Sequence, residues 1–175
     1  MKTLINTLRV LLPALLLAIS VQASAQASAQ VERGQKSFGP KAGYITRNTA
    51  PMAGLTFDYA FSRHFRIAPS IGLAFRNRNR DALLFDIDMH FPIPTWWTSN
   101  FYPLIGVAYN SWVSHDIEPE TNDDVSAHEN SLGFNAGAGW EIQLAESLRL
   151  GLESKWSVIR HNPNGQFTLR LAYVF

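Results

Sequence analysis

From residue 36 to the last residue, apolar and polar positions alternate with a period of two, the mark of strands that keep one face apolar. "LLFDIDMHF" is the cleanest case, with Leu83, Phe85, Ile87, Met89 and Phe91 opposite Leu84, Asp86, Asp88 and His90. "AGLTFDYAF" sets Ala53, Leu55, Phe57, Tyr59 and Phe61 against Gly54, Thr56, Asp58 and Ala60. "FRIAPSIGLAF" sets Phe65, Ile67, Ile71, Leu73 and Phe75 against Arg66, Ala68, Ser70, Gly72 and Ala74. The second half repeats the theme in "FYPLIGVAYNSWV", "SLGFNAGAGWEI" and "LRLGLESKWSV". The closing "QFTLRLAYVF" places Phe167, Leu169, Leu171, Tyr173 and Phe175 at every second position, with an aromatic as the final residue. With a weaker strand over Phe38 to Thr46, the pattern predicts eight strands and no helix. Pro40 and Pro103 interrupt the first and fifth, leaving their register open.

The connections alternate in character. "SRH" at Ser62 to His64, "AES" at Ala145 to Ser147 and the longer "PIPTWWTSN" at Pro92 to Asn100 fall at one end of an up-and-down sheet. The other end receives "RNTAP", "RNRNR" at Arg76 to Arg80, "RHNPNG" at Arg160 to Gly165, and one long polar loop, Ser114 to Asn130. Two unlike ends suit a meander closed into a barrel.

Volume decides which face points inward. An eight-stranded barrel has room inside for a single filling of side chains. The apolar face carries Phe57, Tyr59, Phe65, Phe75, Phe85, Phe91, Trp140, Trp156, Phe167, Tyr173 and Phe175, too much for that space. The opposite face, mostly Gly, Ala, Ser and Thr, fits. The apolar face therefore points outward, which is stable in lipid and aggregates in water. The alternative is a soluble barrel holding an apolar ligand. Phe61, Phe65, Phe91, Trp96, Trp97, Phe101, Tyr173 and Phe175 form an expected aromatic girdle at the short-turn end, and Phe75, Tyr109, Trp112, Trp156 and Phe167 one toward the loops. The inward face then holds Lys41, Arg66, Arg149, Lys155 and Arg170 with Asp58, Asp86, Asp88, Glu141 and Glu153, five cations against five anions. Buried charges persist when paired, so equal numbers predict a self-satisfying network and no ion-selective pore.

The N-terminus is a separate piece. Lys2 and Arg9 precede the apolar "VLLPALLLAISV", and Ala23-Ser24-Ala25 and Ala27-Ser28-Ala29 supply small-residue cleavage sites. This order predicts a secretory signal peptide over residues 1–25, a flexible polar leader over 26–35 and a barrel over 36–175. Losing Lys2 and Arg9 takes the formal charge from +1 to −1, which gives no basic excess for nucleic acid. Cysteine is absent, so an exported domain must be stable without disulfides.

On these residues the chain resembles the small eight-stranded outer-membrane barrels of the OmpX and OmpA-transmembrane type, the porin family of outer-membrane β-barrels. "SLGFNAGAGWEIQLAESLRLGLESKW" is similar to that family's penultimate hairpin, and "LRLAYVF" to its C-terminal β-signal. The resemblance implies an all-β, antiparallel, up-and-down transmembrane barrel in the outer membrane of a Gram-negative bacterium. Its partners would be outer-membrane lipid and lipopolysaccharide, with the barrel-assembly machinery reading the strand that ends at Phe175. It says little about activity, since the fold hosts structural proteins, adhesins and enzymes.

No catalytic, cofactor-binding or metal residue is assigned. The expected role is non-catalytic, in envelope structure or surface interaction through the loops, with the lumen plugged. The enzyme alternative comes from lipid A deacylases, barrels with a Ser-His-acid arrangement facing lipid. "SVIRHNPNG" places Ser157 and His161 near the outer membrane edge, but Pro163 stands where that motif has its serine. His90 shares a strand face with Asp86 and Asp88, an arrangement more simply read as lumen filling than as a metal site. Arg76, Arg78 and Arg80 form a basic loop tip suited to phosphate. The long loop carries Asp116, Glu118, Glu120, Asp123, Asp124 and Glu129, in a spacing unlike an EF-hand.

Overall fold

The computed structural model describes residues 31–46, 49–77, 80–96, 98–117, 124–159 and 163–175. Eight long strands run through them: β1 (Lys36–Ile45), β2 (Ala50–Ser62), β3 (Phe65–Asn77), β4 (Arg80–His90), β5 (Ser99–Ile117), β6 (Asp124–Ala145), β7 (Leu148–Ile159) and β8 (Asn164–Val174). Each pairs antiparallel with its neighbours in sequence. β1 also pairs with β8, from Ser37↔Val174 to Ile45↔Gln166, so the sheet closes and no strand of the ring is left with an open edge. A two-residue pairing of Ile93–Pro94 with Asn100 and Phe101 extends the β4–β5 hairpin beyond the ring.

Closure explains the aromatic terminus. The Lys36 N–H donates to the Phe175 carbonyl at 3.0 Å, and the Phe175 N–H returns the bond at 2.9 Å. The last residue is thus a rung of the closing ladder. Both interrupting prolines keep register, with Pro40↔Leu55 and Pro103↔Ala138 in continuous ladders. Gly39 is required at the seam, because a Cβ there would overlap the Leu171 carbonyl.

The apolar set faces outward along every strand, and its opposite face fills the lumen. Leu55, Ile71, Leu73, Phe75, Ile87, Ile105, Leu152, Phe167 and Leu169 are exposed, whereas Thr56, Asp58, Asp86, Asp88, Glu141 and Arg170 are buried. The soluble alternative, apolar face inward, is thereby ruled out by the fold. Part of the turn-end girdle is continuous: Tyr59, Phe61, Phe65 and Phe91 contact in series with ring centroids 4.7–5.8 Å apart. Tyr173 stacks on Phe175 at 6.1 Å.

Three expectations need correction or completion. The long loop is mostly strand: β5 and β6 stay paired through Ser114↔Ala127 to Ile117↔Asp124, leaving a short tip. β4 stops pairing with β5 at Ser114 and β7 stops pairing with β6 at Gly133, so this stretch is a two-stranded ribbon standing above the ring. A ribbon beyond the ring has neither lumen nor lipid to impose an apolar period, and the alternation that marks the barrel strands is therefore weak there. Trp112 does not join the loop-end girdle. It shares the parity of Asn110 and turns inward, 2% exposed. At the N-terminus, residues 31–35 of the expected leader are held to the turn end, where Gly34 N–H donates to the Ala60 carbonyl (2.7 Å) and Ala60 N–H to the Gln35 carbonyl (2.9 Å). Residues 1–30, Trp97, Arg78, Glu118, Glu120, Asp123 and His161 lie outside the described residues.

Candidate functional site in the barrel lumen

All ten charged residues expected inside are inside, each no more than 6% exposed. They sort into two clusters. Toward the turn end, Glu141 on β6 gathers three guanidiniums. Arg66 on β3 binds it bidentately, Nη1 to Oε1 at 2.9 Å and Nη2 to Oε2 at 2.7 Å. Arg149 and Arg170 approach the same carboxylate at 3.5 and 3.7 Å, and the Asn100 amide donates to it at 3.2 Å. Arg170 also pairs with Asp58 at 2.5 Å, and the Ser37 hydroxyl donates to Asp58 at 2.8 Å. Arg149 donates to the side-chain oxygens of Gln143 and Gln35, which ties the N-terminal turn to the lumen.

Deeper in the lumen, Lys155 on β7 holds Asp86 and Asp88 of β4 at 2.9 and 2.7 Å. Lys41 lies 3.5 Å from Asp86 and donates to Ser70 at 2.7 Å. The Asn135 amide bridges the two aspartates at 3.0 and 2.9 Å, and its own oxygen accepts the Ser157 hydroxyl at 2.6 Å. The lysine–aspartate pairs join strands three places apart around the ring and Asn135 joins strands two apart, so the cluster spans the lumen.

Tyr102 and Glu153 connect the clusters. The Tyr102 hydroxyl donates to Glu153 at 3.2 Å, and Arg170 approaches Glu153 at 3.8 Å. The Tyr102 ring stacks on His90 (4.6 Å) beneath the Arg66 guanidinium (4.7 Å). It lies flat on Gly139, its direct cross-strand neighbour, where a Cβ would overlap the ring. Tyr102 is the central lumenal residue that sequence reading missed. Its even number, shared with Gly106, Ala108 and Asn110, carries the signal, which Pro103 interrupts. Toward the loops an apolar cluster joins the filling, with Trp112 packed among Ile45, Ala50, Met52, Ala74, Ala82 and Leu84, beside buried Asn110, Asn164 and Gln166.

Of the residues weighed for chemistry, His90, Asp86, Asp88 and Ser157 are absorbed by this network. His90 Nδ1 accepts from Arg66 Nε at 3.2 Å, while Asp86 and Asp88 are committed to Lys155 and Asn135. Among the described residues no three His, Asp or Glu side chains are placed to hold a metal ion. Ser157 is fully buried and faces the lumen. Between the clusters a void of about 10 Å³, roughly one water's worth, is lined by Lys41, Ser70, Asp88, His90, Glu153 and Arg170.

An apolar belt outside and a neutralised polar filling inside are the two halves of a membrane barrel, and the family model for the outer membrane protein beta-barrel domain matches residues 11–175. The chain belongs to this family. Its members' fold recurs in solved structures of low identity. The N-terminal β-barrel domain of Pseudomonas aeruginosa OprF superposes with a TM-score of 0.68 at 13% identity, covering 83% of this chain and 100% of that one. Neisserial surface protein A gives 0.62 at 9%, covering 81% and 96%. Yersinia pestis Ail, in complex with the heparin analogue sucrose octasulfate, gives 0.52 at 16%, covering 82% and 99%. No curated protein matches the sequence. As a member of the outer-membrane barrel family, the protein resides in the outer membrane of a Gram-negative bacterium, and its belt contacts that membrane's lipid.

The two partners of the Arg66–Glu141 pair are unequal. Glu141→Leu removes the carboxylate shared by Arg66, Arg149 and Arg170 and leaves only Arg170 with another close carboxylate, whereas Arg66→Met leaves Glu141 with Arg149 and Arg170. Denaturant unfolding in detergent micelles is expected to show a loss of about 3–5 kcal/mol for Glu141→Leu and a clearly smaller loss for Arg66→Met. Equal losses would mean that the three arginines do not share the carboxylate.

Proposed function

We propose that this outer-membrane barrel is non-catalytic and works as an integral envelope protein with a plugged lumen, meeting partners through its loop end. The observation that carries the reading is the lumenal network itself: ten charged side chains bound to one another across the barrel, with a Trp112 layer beyond them. A permeating ion would have to displace braced, buried pairs.

The deacylase alternative needs a serine presented to lipid, and Ser157 instead donates to Asn135 inside the lumen. The β5–β6 ribbon supports the surface reading, because it projects a paired scaffold beyond the ring. Ail, which shares the fold, is seen with a sulfated heparin analogue, and a comparable loop-end partner is proposed for this chain. The assembly machinery is proposed to recognise β8 through its alternating apolar face and Phe175.

In planar bilayers the purified protein is expected to show no steady porin-sized conductance. A stable large channel would overturn the plugged lumen. Deleting Phe175 is expected to lower the amount of folded, heat-modifiable protein in outer-membrane fractions several-fold. Unchanged yield would remove the assembly role of the last residue.

A further inference from the structure

Among several clefts of similar volume on the outer surface, one lies between two indoles at the short-turn end. It has a volume of about 470 Å³, within the range of ligand-sized clefts, and is lined by Trp96, Thr98, Ser99, Trp140 and Ile142. Trp96 stands on the connection between β4 and β5, at the short-turn end, which in outer-membrane barrels faces the periplasm. Its indole lies 5.9 Å from that of Trp140 at an interplanar angle of 41°, and the Trp140 ring also meets Phe101 at 6.3 Å. The two indoles are the cleft's walls.

The turn that carries Trp96 is pinned. Ser99 Oγ donates to the Trp96 carbonyl at 2.6 Å, and Thr95 Oγ1 to the Ser99 carbonyl at 3.0 Å. Gln143 N–H donates to the Thr98 carbonyl at 2.8 Å, and Thr98 Oγ1 to the Gln143 carbonyl at 3.2 Å, fastening the turn to β6. These bonds hold Trp96 where it is 76% exposed, the most exposed large apolar side chain among the described residues. A freely moving indole would gain by packing down, so a fixed turn that keeps it standing preserves the opening.

The cleft's chemistry has a direction. Thr98 and the buried Ser99 lie at the turn end, and from Ile142 to Trp140 the wall runs along β6 toward the membrane interior, continuous with exposed Phe101 of the lipid-facing belt. Among the described residues no charged side chain lines it. An occupant from this belt is apolar along its length and polar at the periplasmic end, and it is not recognised by its charge. We propose that the cleft is a binding site for one acyl chain of a diacyl phospholipid of the periplasmic leaflet, gripped between Trp96 and Trp140, with its glycerol region toward Thr98. Continuity with the lipid belt favours this occupant over a second copy of the chain.

The test is native mass spectrometry of protein reconstituted into bilayers of phosphatidylethanolamine with phosphatidylglycerol and then extracted into mild detergent. A retained phospholipid is expected on the unsubstituted protein, with both headgroups held alike. Its occupancy should fall about tenfold in Trp96→Ala and in Trp140→Ala, while Trp156→Ala, elsewhere on the belt, stays within about twofold. Retention that is unchanged in Trp96→Ala, that follows headgroup charge, or that is replaced by a dimer lost on substitution would overturn the site. Should an alanine variant not fold, Trp96→Phe keeps a wall and allows a second reading. Phosphatidylcholine brominated on its acyl chains should quench a component of the tryptophan fluorescence that Trp96→Phe removes; equal quenching in both proteins would also overturn it.

Discussion

Eight strands close around a space that holds one filling of side chains and no more, and this limit orders the rest of the molecule. The bulky apolar residues cannot enter, so they face outward and require lipid. What enters is small or polar, and whatever is charged must find its counter-charge within the lumen. Arg66 with Glu141, Arg170 with Asp58, and Lys155 with Asp86 and Asp88 meet that demand by reaching across the ring. A buried pair contributes little against an apolar filling but costs heavily when one member is lost.

Facing and strand count were legible because both follow from a period of two. The inward set from Lys41 to Arg170 needs only parity, and the structure places each member inside. Partnership was not legible, since Arg66 and Glu141 are 75 residues apart and meet only through the tilt and closure of the whole ring. The misplacement of Trp112 has a different cause. An aromatic near the loop end suggests an interfacial girdle, but its even number in β5 sends it inward. The long loop misled because its strands pair beyond the ring, where neither lumen nor lipid imposes an apolar period for hydropathy to show.

The two ends of the barrel differ in what they present. At the loop end the β5–β6 ribbon rises as a paired scaffold on which a polar tip is carried. At the periplasmic end Gln35 ties the chain inward to Arg149, Lys36 and Phe175 close the ladder, and Trp96 stands outward. The proposed surface role belongs to the first end and the proposed lipid site to the second. Neither draws on the lumen, whose residues are committed to one another.

The orientation of the two strand faces is the claim on which everything else stands. Because the chain has no cysteine, single cysteines can be placed along β4 from Leu83 to His90 and spin-labelled in liposomes without background. Collision with oxygen, which partitions into lipid, should peak at Leu83, Phe85, Ile87 and Met89 and be low at Leu84, Asp86, Asp88 and His90. The period-two profile in that phase is the predicted result. The opposite phase, or equal accessibility to a water-soluble nickel chelate at all eight positions, would contradict the account.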